Sequence, residues 1–247
     1  MLTKIRFLSG NMLKIIAAVT MLIDHIGVIL FPQIKVFRII GRLSFPIFAF
    51  MIAEGARYTK NKCKYILTIG VLGVICQIPM IVLFEDFHWN ILVTFTLSLA
   101  LIFLLEQAKR SFFDKGCRAW LKVLWVVSFF AAVSGLYLLG KLTPFHYSYG
   151  ILGCMVAVFA SVPDLSKTDA PEWLKTVDCI PVRILCMSIP LLIYCCVSTS
   201  YQSFSLVAAL PLLLYSGKRG KARMKYAFYV FYPAHFVLLY AIRFLLS

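Results

Sequence analysis

The chain is a succession of long apolar runs separated by short polar turns. The run cores are Met12–Phe31, Val36–Ala53, Tyr65–Phe84, Ile91–Leu105, Leu121–Gly140, Tyr149–Val162, Val182–Val197, Phe204–Tyr215 and Tyr226–Leu246. Most approach the ~20 residues that an α-helix needs to cross a bilayer. They are too long and too unbroken for the alternating strands of a membrane barrel. The pattern predicts an all-α fold: a polytopic transmembrane bundle of about nine spans, with residues 1–247 forming one integral-membrane helical domain. The eighth run is short and is expected to be tilted or partly re-entrant. Within the second, Gly41 and Pro46 lie close together; the pattern leaves open a kink with freed carbonyls or plain packing.

Composition agrees with this picture. The chain is 62% hydrophobic and 14% charged, whereas a soluble globule has roughly 45–50% apolar and about 25% charged residues. The mean hydropathy is +0.89. A formal charge of +15 raises nucleic acid as a partner. The cations fall in several turns and not on one stripe, so topology explains them better. No nucleic acid is expected, and the lipid bilayer is the expected surrounding.

The charges also orient the bundle. Arg57, Lys60, Lys62 and Lys64 share one turn; Lys109, Arg110, Lys115 and Arg118 share another; Lys218, Arg219, Lys221, Arg223 and Lys225 share the penultimate connection. The turn Glu85–Asn90 has two acids and no Lys or Arg. A cytoplasmic N-terminus puts every basic cluster inside and the acidic turn outside. The connection Pro163–Pro181 is mixed and indicates neither side. The first run follows Lys4 and Arg6 but lacks a small-residue cleavage site, so it is expected to stay as a helix. The eight cysteines form no C-x-x-C pair and lie mostly in apolar runs. Neither a metal site nor a disulfide framework is expected.

Chemistry concentrates in the first hairpin. Asp24 and His25 interrupt the first apolar run, and Arg38, Arg42 and Glu54 are built into the second. Ionisable groups inside a span are expensive and mark functional interiors or wet cavities. Counted from the turn Pro32–Lys35, His25 lies level with Arg42, a few ångström outside the midplane. Arg38 and Arg42 share one helix face. These groups can form an active centre, with His25 as general base and Arg42 as electrostatic partner, or an Asp24–Arg42 lock. Direct Asp24–His25 pairing is not expected, because neighbouring helix residues point ~100° apart. Glu54 is expected to pair with Arg57 or to line a donor entrance. Tyr232 and His235 sit mid-span in Tyr232-Pro233-Ala234-His235. Asn90 and Tyr149 open two later spans, as a helix cap and an interfacial anchor or as binding groups. His88 and His146 are expected at the outer surface without a special role. Phosphates of a soluble donor would need loop cations such as Arg57, Lys60 and Lys62.

The segments Leu13-Lys14-Ile15-Ile16-Ala17, Ile23-Asp24-His25-Ile26-Gly27, Arg38 to Pro46 and Glu54-Gly55, with Tyr149-Gly150 and Tyr232-Pro233-Ala234-His235, resemble the TraX family from first span to last. That family is known for acetylating pilin N-termini and is distantly similar to the integral-membrane acyltransferases that modify glycans. The resemblance implies a multi-pass protein of the cell membrane that takes acetyl from cytosolic acetyl-CoA, without a metal. It implies an acceptor amine or hydroxyl, on a peptide N-terminus or a glycan, at the outer face. His25 matches the first-helix histidine of those enzymes, with Asp24 and Arg42 beside it. Arg38, Glu54, Arg57, Lys60, Asn90, Tyr149, Tyr232 and His235 are candidates for substrate and donor binding. A proton-coupled transporter or flippase using Asp24, His25, Arg42 and His235 as a relay is the competing reading, and a purely structural assembly partner is the third.

Overall fold

The computed structural model describes residues 6–84, 87–198, 200–222 and 224–246. Lys4, Arg223 and the two acids of the acidic turn, Glu85 and Asp86, lie outside the described residues. The chain divides into two compact units, Met1–Met51 with Leu191–Ser247, and Ile52–Pro190.

The first unit is built on α1 (Gly10–Ile29), α2 (Lys35–Gly41) and the start of α3 (Ser44–Tyr58). Ser9 caps α1 by accepting from the Met12 amide. Arg42 and Leu43 form a turn between α2 and α3, so the second apolar run is interrupted rather than merely curved. Two glycines let α1 and α2 close on each other. A Cβ at Gly27 would collide with Phe37, and one at Gly41 with the Asp24 side chain. The start of α1 is strapped to residues 214–222: Leu8 bonds the Leu214 carbonyl, Asn11 donates its amide to Arg219, and Asn11 Nδ2 bonds the Ala222 carbonyl at 2.7 Å.

The second unit holds the rest of α3, α4 (Lys62–Phe84), α5 (Ile91–Phe113), α6 (Ala119–Leu142), α7 (Gly150–Ser161), the single turn α8 (Glu172–Lys175) and the start of α9 (Ile180–Val197). Asn90 caps α5: Oδ1 accepts from Leu92, while Nδ2 donates to the Gly73 carbonyl at 2.8 Å and to Gln77 Oε1 at 3.1 Å. An Asn90→Ala variant is therefore expected to lose about 1–2 kcal/mol of stability, read as an earlier midpoint in denaturant titration of the protein in mixed micelles. An unchanged midpoint would leave the cap without energetic weight.

None of the α6 residues is buried. Trp120, Val123, Leu124, Val127, Phe130 and Tyr137 all face outward. An apolar helix exposed on this scale is stable in lipid and not in water. Among the described residues, six helical stretches are long and apolar enough to cross a membrane, with α2 and α3 counted through their turn as one, Lys35–Tyr58. The expected count of about nine is approximate, and two of its runs take other forms. α7 has 12 residues, or about 18 Å of rise, too little for hydrocarbon ~30 Å thick. The eighth run is split into a 3₁₀ segment, Ser200–Ala208, and the short α10 (Ala209–Leu213). α11 (Lys225–Leu246) completes the first unit, with Pro233 inside it.

Candidate active site

Neighbouring residues of α1 diverge, and the first unit uses both directions. Asp24 faces α2, where Oδ2 accepts from Arg38 Nη1 at 2.8 Å and Oδ1 from Arg42 Nη2 at 3.1 Å. The i, i+4 spacing of the two arginines brings both to one carboxylate. The Asp24 side chain is 14% exposed and that of Arg38 is 38% exposed. Arg42 is fixed further: its Nε donates to the Arg38 carbonyl at 3.2 Å and its Nη1 to Gln202 Oε1 at 3.1 Å. The Asp24–Arg42 pair, one of the two arrangements the sequence left open, is thus present, extended by Arg38 and by Gln202.

His25 turns toward α11. Its Nδ1 lies 2.8 Å from Nε2 of His235, which is 3% exposed. The ring planes differ by 12° and the centroids are 5.0 Å apart. With the nitrogens at 2.8 Å, that separation leaves room only for one ring radius on each side. The two imidazoles therefore meet edge to edge in nearly one plane, which aims a lone pair along the bond. Phe236 packs at 4.4 Å from each ring, and Tyr232 meets His235 edge-on at 5.7 Å.

The bonds fix the direction of the pair. His235 Nδ1 lies 2.9 Å from the Phe231 carbonyl, which can only accept. Nδ1 therefore carries the proton, and in neutral His235 Nε2 accepts. His25 Nδ1 must then donate, leaving His25 Nε2 with its lone pair. Such a pair presents one basic nitrogen at its outer end. Counted along α1, His25 stands about 8 Å beyond the helix midpoint toward the Ile29 end.

The other candidates fall in the second unit. Glu54 pairs with Arg183 of α9, not with Arg57 as expected. Arg57 instead meets Asp178 at 2.7 Å and Asp164 at 3.9 Å. The reason is burial: Arg183 is 2% exposed, inside an apolar helix, and requires a carboxylate equally buried. Burial pushes the Asp178 carboxyl up, and the Arg57 charge offsets this only in part. At Asp164 burial also acts upward, but hydrogen bonds from Ser166 and the Arg57 charge outweigh it, holding the carboxyl below its ordinary range. Lys62 pairs with Glu106 at 3.2 Å, so two of the cations expected to hold donor phosphates are engaged; Lys60 is exposed.

Lys109 Nζ caps the C-terminus of α7, donating to the Ser161 and Asp164 carbonyls at 2.9 and 2.7 Å. A small cavity there is lined by Arg57, Glu106, Lys109, Asp164, Lys167 and Thr168. These contacts bring the mixed connection after α7 to the end of the unit that carries the basic turns, a side its own charges did not indicate. At the other end, Asn90 is committed to capping, and Tyr149 adopts a left-handed conformation, φ 62°, ahead of α7. His88 and His146 are exposed there, with ring centroids 6.4 Å apart.

Sequence reasoning missed Arg183 and Gln202. An arginine at the second position of an apolar run is a signal of the same kind that singles out Asp24; a neutral glutamine carries none.

The family model described as TraX protein matches residues 9–243. An uncharacterised protein of Rickettsia prowazekii is 33% identical over 160 residues, and the chain covers 62% of that relative's length, with 62% of its own. The probable fimbrial assembly protein FimC, serogroup H1, of Dichelobacter nodosus is 26% identical over 262 aligned positions spanning 94% of each chain. No solved structure matches the chain.

Proposed function

The chain belongs to the TraX family, and on that premise we propose that it is a membrane-embedded acetyltransferase, moving acetyl from cytosolic acetyl-CoA to an amine or hydroxyl at the outer face of the cell membrane. The observation that carries this reading is the His25–His235 contact, closed by the Phe231 carbonyl and packed against Phe236, which leaves one basic nitrogen at the outer end of the pair. Acyl transfer needs a positioned base and exclusion of the water that would hydrolyse a thioester.

In this reading His25 Nε2 removes the proton as the acceptor's nitrogen or oxygen attacks the thioester carbonyl carbon. The carbon–sulfur bond breaks, and the electron pair leaves with the sulfur of CoA. The proton held by His25 passes to that thiolate, giving the free thiol and restoring the base. His235 orients His25 and supports the imidazolium. Arg42, held by Asp24 and Arg38, supplies a fixed positive field beside the dyad. Lys60 and Lys64 are the exposed cations of the first basic turn placed to meet donor phosphates. The relative named for fimbrial assembly supports an acceptor amine on an appendage subunit.

Sealed vesicles containing the protein test the reading. Acetyl-CoA labelled in the acetyl group is supplied on the side of the basic turns, and a peptide with a free N-terminus or a glycan on the other. The expected result is labelled acceptor with release of CoA thiol. A proton gradient that drives substrate flux without CoA, with no thiol released above protein-free vesicles, would replace this function by transport.

A further inference from the structure

Gln202 is 2% exposed and lies on the 3₁₀ segment Ser200–Ala208. Runs of this kind seldom exceed about four residues. Its Oε1 accepts from Arg42 Nη1 at 3.1 Å. Its Nε2 is buried and has no hydrogen-bond partner among the described residues. A buried donor left unsatisfied costs about 1–3 kcal/mol, and native proteins keep few of them. The oxygen and nitrogen of an amide diverge from one carbon. Clamping Oε1 on Arg42 therefore turns Nε2 away from the guanidinium and fixes the plane in which it points. Withdrawal of electron density at the oxygen by a cation also makes the nitrogen a better donor.

Arg42 is poorly placed to serve as this donor itself. Its Nε, Nη1 and Nη2 are directed at Arg38, Gln202 and Asp24, and Asp24 offsets its charge. It organises the site, and Gln202 is the group it presents. One salt bridge and one hydrogen bond connect Gln202 to Asp24, the chain neighbour of His25.

Resting on the acetyl-transfer reading, we infer that Gln202 is a further catalytic residue, whose Nε2 donates to the carbonyl oxygen of the acetyl thioester. When the acceptor adds to the carbonyl carbon, the π pair moves to that oxygen, and the Nε2 bond strengthens as negative charge appears. When the carbonyl re-forms, the carbon–sulfur pair leaves on CoA, and the acceptor's proton returns from His25 to the thiolate. Nothing beyond the thioester and the acceptor is consumed.

Gln202→Glu separates this role from a structural one. It keeps the length of the side chain and an oxygen for Arg42 but deletes the donor. With the full chain in lipid nanodiscs and acetyl-CoA as donor, kcat is expected to fall about 10²–10³-fold with little change in KM. Calorimetry with S-ethyl-CoA, which lacks the carbonyl, gives a second readout. The wild type should prefer acetyl-CoA to the thioether, and the variant should lose that preference. If Gln202→Glu does not fold, Gln202→Met, similar in size and without a donor, is read in the calorimetric assay instead.

Turnover within about threefold of wild type, with the preference for the carbonyl intact, means that Gln202 merely holds Arg42 and overturns the inference. A wild type that neither turns over nor binds acetyl-CoA removes the activity and the inference with it. That outcome is distinct from an active wild type with an equally active Gln202→Glu.

Discussion

A His25→Ala variant should lose acetyl transfer by about 10²–10⁴-fold, the usual weight of a positioned general base, with the fold retained. The direction of the dyad makes this the most damaging change to the chemistry. His235 cannot replace the missing base, because its Nδ1 is bonded to the Phe231 carbonyl and its Nε2 faces the vacated position. His25 is also only partly buried, so its removal leaves a smaller packing defect than a core residue would. The loss should appear in kcat under single-turnover conditions, and added imidazole should restore part of it. His235→Phe adds a graded control. It keeps a ring among Phe231, Tyr232 and Phe236 but removes the acceptor for His25 Nδ1. Its activity should fall by less than that of His25→Ala, since His25 keeps a basic nitrogen but loses the contact that selects which one. A fully active His25→Ala, with acetyl transfer established in the wild type, would take the base out of the mechanism.

The active-centre hypothesis depended on a few residues, and their legibility differed for physical reasons. Asp24, His25, Arg38 and Arg42 stood out because charge inside an apolar run is costly, and the helical repeat alone separates Asp24 from His25. What the repeat could not supply was the partner of each. That Asp24 meets α2 depends on Gly41 and Gly27, which allow α1 and α2 to touch, and His25, on another face of α1, is left to meet α11. Glu54 shows the opposite case. Arg57 is three residues away in sequence, yet the tertiary partner is Arg183, far along the chain, because a fully buried guanidinium outranks a partly exposed one in its need for a carboxylate. The sixth and eighth runs are apolar enough to look like spans. Hydropathy reports composition, however, and not whether a segment is helical for its whole length. Tyr149 in its left-handed turn shortens one, and the long 3₁₀ segment breaks the other. Gln202 gave no signal because an amide is neither charged nor rare.

Replacing Arg183 with leucine should destabilise the second unit by about 3–5 kcal/mol, the cost of leaving one member of a buried ion pair behind. Arg183 does two things at once. Its Nη1 bonds Glu54 Oε2, and its Nε donates to the Ala160 carbonyl at 2.9 Å, in the last turn of α7. The single change therefore strips a buried carboxylate of its counter-ion and a helix end of its cap. Glu54, 5% exposed, lies too deep for bulk water to replace the lost charge. Denaturant titration in mixed micelles should show the earlier midpoint. The double variant Glu54→Leu, Arg183→Leu should recover most of the loss, because two apolar side chains of suitable volume avoid the desolvation that the pair must offset. A single variant as stable as the wild type would mean that Glu54 is hydrated or otherwise paired, and that α3, α7 and α9 are held together by apolar packing alone. If the single variant is destabilised and the double variant is no better, the Ala160 cap carries the energy and the ion pair does not.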